Sequence, residues 1–212
     1  MRFFMLLITF WLTACQPVLP AAGQASAAPA KSPSAPRFLM AHYMPWFEAA
    51  PAAKRWGWHW TMNHYKPDNI VGGRAEAASH YYPLIGLYDS NDPDVLECQV
   101  LLMKFAGIQG VLIDWQGIDE YLDYGINHRN VLQIIPILRK AGMKFAIVYE
   151  DEAVRKMIAA NRFPEKESIA HGQTLMKWMQ AHWFSDSAYL KQDNRPVFLV
   201  FGSGYYKEEQ WK

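Results

Sequence analysis

Apolar residues along the chain fall into short unbroken runs that alternate with longer, amphipathic stretches. The first run, at 38–43, reads Phe-Leu-Met-Ala-His-Tyr, the pattern of a strand covered on both faces. A long, polar and Trp-rich connection follows, from about 45 to 91. Asp92 then predicts a helix cap, with Pro93 at the first helical position and Gly107 just past the end. Val95, Leu102 and Phe105 are expected on its buried face. A second strand is predicted at 110–115 (Gly-Val-Leu-Ile-Asp-Trp) and a third at 144–149 (Lys-Phe-Ala-Ile-Val-Tyr). Between them the spacing of Val131, Ile134, Ile135 and Leu138 predicts a helix over about 127–141, which Pro136 should kink or delay. A further helix is expected over about 165–184, with Met176, Met179 and Trp183 on one side. The fourth strand is expected at 196–201, with its Pro at the start, where a missing N–H is tolerated.

Strands alternating with helices imply parallel pairing. An open doubly wound sheet also fits. However, no glycine-rich phosphate loop follows a strand, and Gly72-Gly73 lies far from any strand end. Polar and aromatic residues gather after every strand, which is where (β/α) barrels keep their sites. The expected fold class is therefore α/β: a TIM-barrel-type scaffold with about the first four of its eight strand–helix units, at 37–212. Two strand edges would then lack partners, so self-association is expected.

The segment before residue 37 is of a different kind. Arg2 precedes an apolar run at 3–12, and Leu12-Thr13-Ala14-Cys15 follows. The run is too short for a spanning helix of roughly 20 residues and reads as a secretory signal. The expectation is a lipoprotein signal at 1–15 with Cys15 lipidated; ordinary cleavage near Ala21, Ala25 or Ala28 is the alternative. Residues 16–36 are Pro, Ala and Ser and predict a tether. The expected location is the cell envelope, with the outer membrane favoured and the lipid as the one membrane contact.

Charge excludes one class of partner. Lys plus Arg number 21 against 20 Asp plus Glu, which gives no footprint for nucleic acid. With Cys15 lipidated, Cys98 has no disulfide partner and is expected to be a small buried hydrophobe. Aromatics are abundant, at nine Trp, eleven Tyr and eleven Phe.

Strand ends carry His42, Tyr43 and Trp46; Asp114 and Trp115; Tyr149, Glu150, Asp151 and Glu152; and Tyr205 and Tyr206. The first connection adds Trp56, Trp58, His59, Trp60, His64, His80, Tyr81 and Tyr82. Ring faces interspersed with carboxylates suit a sugar, whose apolar face packs on a ring while its hydroxyls take polar partners. Blander roles compete at each position. Asp151 and Glu152 suit a helix start, the Trp cluster could be a packed loop, and Asp119 and Glu120 read as a solvated loop. The histidines match no zinc pattern, so no metal and no cofactor is expected.

The segments at 42–47 (His-Tyr-Met-Pro-Trp-Phe), 56–60 (Trp-Gly-Trp-His-Trp), 80–93 and 110–115 together resemble glycoside hydrolase family 99 and its family 71 relatives, over about 38–201. That resemblance implies a (β/α) barrel acting on an α-mannan-type glycan by hydrolysis, or a non-catalytic glycan-binding relative. It places Trp115 at a substrate-lining Trp, although here the flanks are Asp114 and Gln116. It also places Glu150 at the Glu of an Ile-Glu-Pro-Tyr segment, and matches Tyr43, Trp46 and His59. The candidate sugar contacts are thus Tyr43, Trp46, Trp58, His59, Trp60, Asp114, Trp115 and Glu150. The family's catalytic glutamates lie in an Asn-Glu-Trp-like segment with no counterpart after Gly202, which leaves the catalytic residues unassigned and the scaffold expected to be partial.

Overall fold

A computed structural model describes residues 38–50, 52–202 and 204–211. The signal segment, Cys15 and the tether lie outside the described residues. In chain order the elements are β1 (Met40–Tyr43), α1 (Trp58–Thr61), β2 (Ile70–Val71), β3 (Arg74–Ala75), α2 (Pro93–Phe105), β4 (Gly110–Trp115) and α3 (Tyr124–Lys140). They continue with β5 (Lys144–Tyr149), α4 (Glu152–Ala159), α5 (Ser168–His182), β6 (Lys191–Gln192), β7 (Arg195–Pro196) and β8 (Phe198–Val200). β1, β4, β5 and β8 form one parallel sheet in that order, with helices in every crossover. This is a partial TIM-barrel arrangement. Among the described residues, the outer edges of β1 and β8 have no strand neighbour.

Alternation along the strands makes two unlike faces. Val111, Ile113 and Trp115 of β4 and Phe145, Ile147 and Tyr149 of β5 pack under α2, α3 and α5 in one continuous core. Their neighbours in sequence, Leu112, Asp114, Ala146 and Val148, point the other way. Helix placement follows local signals closely. The Asp92 side chain caps α2 by accepting from the N–H groups of Asp94 and Val95.

The structure corrects several expectations. Leu96 and Val100 form the buried stripe of α2, whereas Leu102 is 61% and Phe105 86% exposed. Cys98 lies on the exposed side as well. This helix is apolar on more than one face, so its sequence offers two stripes and the sheet takes one. α3 begins at Tyr124 and runs through Pro136 to Lys140. Pro136 is exposed, so the carbonyl it leaves unpaired one turn back, at Leu132, can turn to solvent. Two small hairpins were not expected. β2 and β3 turn at Gly72-Gly73 and β6 and β7 at Asp193-Asn194, all four residues having positive φ, as the tight hairpin turns require. Pro196 thus belongs to the second hairpin, and β8 starts at Phe198.

Candidate functional site

The carboxyl ends of β4 and β5 open onto a cleft of about 680 Å³. Gln116 and Glu150, which follow those strands directly, form its floor, and the long first connection folds over as its wall. Trp46, Glu48, Trp56, Trp58 and His59 line that wall. Asp123, Tyr124 and Asn127, at the start of α3, close the far side.

Wall position depends on the 80–93 segment. Buried Asp89 accepts through Oδ2 from the N–H groups of Ala49 and Ala53 at 2.9 and 3.2 Å, and through Oδ1 from Asn91 N–H at 2.7 Å. Ser90 donates its backbone N–H to the Phe47 carbonyl and accepts at Oγ from Phe47 N–H. These bonds tie 47–53 to the N-terminus of α2. Gly57 allows a second close approach, since a Cβ there would lie 2.8 Å from that of Glu48. Arg55 then forks onto the Glu48 carboxylate, with Nε and Nη2 at 3.3 and 3.2 Å from Oε1.

Helical turn geometry sorts three adjacent residues of α1. Trp58 is 52% exposed, His59 faces the cleft, and Trp60 is buried against Phe47 and Tyr88, with its indole N–H bonded to the Tyr88 carbonyl. His59 stacks on Trp46 with centroids 4.3 Å apart and planes 5° from parallel. Its Nε2 lies 3.0 Å from Asp123 Oδ2. Burial alone would raise the Asp123 pKa; the His59 hydrogen bond and charge outweigh it and hold the carboxyl below its ordinary value. The result is a rigid flat platform, Trp46 over His59, with Trp58 edge-on beside it.

Glu150 rises from the end of β5, its N–H bonded to the Trp115 carbonyl at 2.9 Å. Asp114 lies behind it, below the cleft floor, and is 1% exposed. Neither Asp114 oxygen has a hydrogen-bond partner of normal geometry among the described residues, and His42 Nε2 stands 3.9 Å away. Burial first, and then the adjacent Glu150 carboxyl, push the Asp114 pKa far above the usual carboxylate range, to about 8.

Of the eight expected sugar contacts, the cleft brings together Trp46, Trp58, His59 and Glu150. The other four stand elsewhere. Trp115 is fully buried on the helix side, packed against Tyr149, Trp178 and Trp183, and donates its indole N–H to His128 Nδ1. Strand alternation forbids Asp114 and Trp115 from facing one pocket. Tyr43 also points into the helix layer, donating to Gln99 Oε1 at 2.9 Å. Trp60 is loop core, and Asp114 is behind the floor rather than on it.

Other strand-end residues have structural partners. Asp151 does not cap α4; its Oδ2 accepts from Tyr206 N–H at 2.9 Å, and Gly204 sits too close to it to carry a Cβ. Asp119 is not solvated loop but pairs with His171 Nε2 at 2.8 Å. Glu120 pairs with Arg129. Among the described residues, no three His, Cys, Asp or Glu side chains are grouped to hold a metal, and no helix is long and apolar enough to cross a membrane. Sequence reading missed Glu48, Arg55, Asp123 and Asn127. Of these, only Glu48 carried a signal, its place two residues after Trp46.

No family model and no curated protein matches this chain. Solved structures do, among them the glycoside hydrolase family 99 endo-α-mannosidase of Bacteroides thetaiotaomicron, in complex with bis-tris-propane and alone. This chain has a family 99-like fold. Both superpositions give a TM-score of 0.53 at 18% identity over 78% of this chain. The chain spans 42% of the bis-tris-propane-bound chain and 45% of the other, less than half of each.

Proposed function

We propose that the cleft binds carbohydrate, with an α-mannan-type glycan favoured, as part of a glycoside hydrolase. The single observation that carries this reading is the Trp46–His59 platform with exposed Trp58 beside it, set among carboxylates at the carboxyl ends of parallel strands. A pyranose laid on Trp46 or Trp58 buries its C–H face, while Asn127 and Glu150 are placed to take hydroxyls. Likeness to an endo-α-mannosidase fold favours mannose over other sugars.

Hydrolysis of a glycosidic bond needs two carboxyl groups, about 5–5.5 Å apart for retention and about 6.5–9.5 Å apart for inversion. Glu48 is paired with Arg55, and Asp123 is hydrogen-bonded to His59. Glu150 has no ion-pair partner among the described residues and is the one cleft carboxylate left to face a ligand. In this reading Glu150 contacts the sugar, and neither catalytic carboxyl is assigned among the described residues. The same engagement of Glu48 and Asp123 favours a second reading, a glycan-binding lipoprotein without turnover. Under both, the exported domain is anchored through Cys15 in the cell envelope; Cys15→Ser should abolish lipid labelling.

Titration calorimetry with manno-oligosaccharides tests the binding reading. Saturable binding that Trp46→Ala and Trp58→Ala weaken supports it, and no heat with any glycan overturns it. A turnover assay on the same glycans separates hydrolysis from binding alone.

A further inference from the structure

Asp114 is an anomaly in stability terms. It occupies a nearly sealed position on the open face of the central strands, beside Leu112 and Val148, with neither oxygen satisfied. Buried polar groups are almost always bonded, and an ionised carboxylate in such a place is strongly disfavoured. An aliphatic side chain would fit the same face at no such cost. The residue therefore calls for a functional explanation.

Register supplies a partner. Asp114 lies across from Val148 in the parallel ladder, and Glu150, two residues on, shares the face of Val148. Glu150 is thus the diagonal neighbour one pleat nearer the cleft. Two adjacent carboxyl groups cannot both ionise cheaply, and the more deeply buried one takes the proton. A protonated carboxyl has one O–H donor, and the Glu150 carboxylate is an acceptor that the register places on the same face. The remaining Asp114 oxygen faces His42 from β1. The other ionisable groups that line the cleft with Glu150 are Glu48, Arg55, His59, Asp123, Tyr124 and Lys156 of α4.

We propose that Asp114 is a positioning residue: it carries the shared proton of an Asp114–Glu150 pair and donates it as a hydrogen bond that aims the ionised Glu150 into the cleft. Asp114 itself touches no ligand. This rests on the carbohydrate reading for its purpose, but the proton pairing is argued from burial and strand register and can be tested without a sugar.

Carboxyl ¹³C NMR titration of the full chain reads the pair directly. The expected result is an Asp114 step well above the ordinary Asp range, which moves down when Glu150→Gln removes the neighbouring charge. An Asp114 step that Glu150→Gln leaves in place, or one in the ordinary Asp range, overturns the pairing. The purpose is read by calorimetry with manno-oligosaccharides at neutral pH. Asp114→Asn, which keeps an N–H donor for Glu150, should bind within about twofold of wild type, and Asp114→Leu, of similar volume, should lose about tenfold with its Tm unchanged or raised. Wild-type affinity in Asp114→Leu would overturn the positioning role. Failure of the unaltered chain to bind any glycan would instead sink the carbohydrate reading, while the NMR arm still decides the pairing.

Discussion

The two faces of the central strands are built from alternate residues of the same twelve positions, yet they obey different rules. On the helix side every position of β4 and β5 is apolar or aromatic and sealed: Val111, Ile113, Trp115, Phe145, Ile147 and Tyr149. On the open side, Leu112, Ala146 and Val148 give way to Asp114 near the end of β4 and to Gln116 and Glu150 just past the strands. The first face stabilises; the second places polar groups where a cleft can use them. A residue's chemical type does not reveal which face it serves. Trp115 has the chemistry of a sugar platform and is core, whereas Trp58 has the same side chain and is half open to solvent.

Five experiments would break or sharpen that contrast. Trp115→Ala should cost about 3–5 kcal/mol of unfolding free energy, the range for a large aromatic removed from a packed core. Chemical denaturation checks it, and a loss below about 1 kcal/mol would mean that Trp115 is not core.

Asp114 should impose a pH slope of the opposite sense to an ordinary salt-bridged carboxylate. Its folded pKa is raised to about 8, above the unfolded value of 3.8, so the folded state holds the proton more tightly. Its stability contribution is complete below the unfolded pKa and is lost as pH rises through the folded one. Asp114→Asn should therefore match wild type near pH 4 and exceed it by about 1–3 kcal/mol above pH 8, by the cost of a buried unsatisfied group. Thermal melts across that range would expose a flat difference if the carboxyl were ordinary.

Trp58→Ala should leave stability within about 0.5 kcal/mol, as at other exposed sites. It should weaken glycan binding by about 1 kcal/mol, roughly fivefold, through loss of a ring contact. The reverse pattern, lost stability with intact binding, would move Trp58 into the core class.

The outer face of α2 gives the smallest effects. Native Cys98 should react with a thiol reagent at the rate of an exposed cysteine, and Cys98→Ser should change stability by less than about 0.5 kcal/mol. Leu102→Lys with Phe105→Glu, both on exposed apolar positions, should reduce self-association in sedimentation velocity without loss of folding.

Much of the frame was legible in the sequence because its signals are local. Strands at 110–115 and 144–149 are continuous apolar runs, and the structure forms both over those residues. The Asp92-Pro93 start of α2 needs only the backbone donors of its own first turn. Even the exclusion of Trp115 from Asp114's side was available from strand alternation, a period of two that the family resemblance obscured.

What only the tertiary structure decided are the pairings between distant segments. Asp123 is a loop residue until His59, 64 positions away, reaches its carboxylate. Asp151 suits a helix cap until Tyr206 N–H arrives from 55 residues on. α2 offers two apolar stripes, and only the sheet chooses Leu96 and Val100 over Leu102 and Phe105. Sequence alone determined the alternation of elements and the residue types at strand ends, because periodicity and capping are properties of neighbours. Which of those residues meet in a cleft depends on burial and partners brought together across dozens of residues, and no local pattern encodes that.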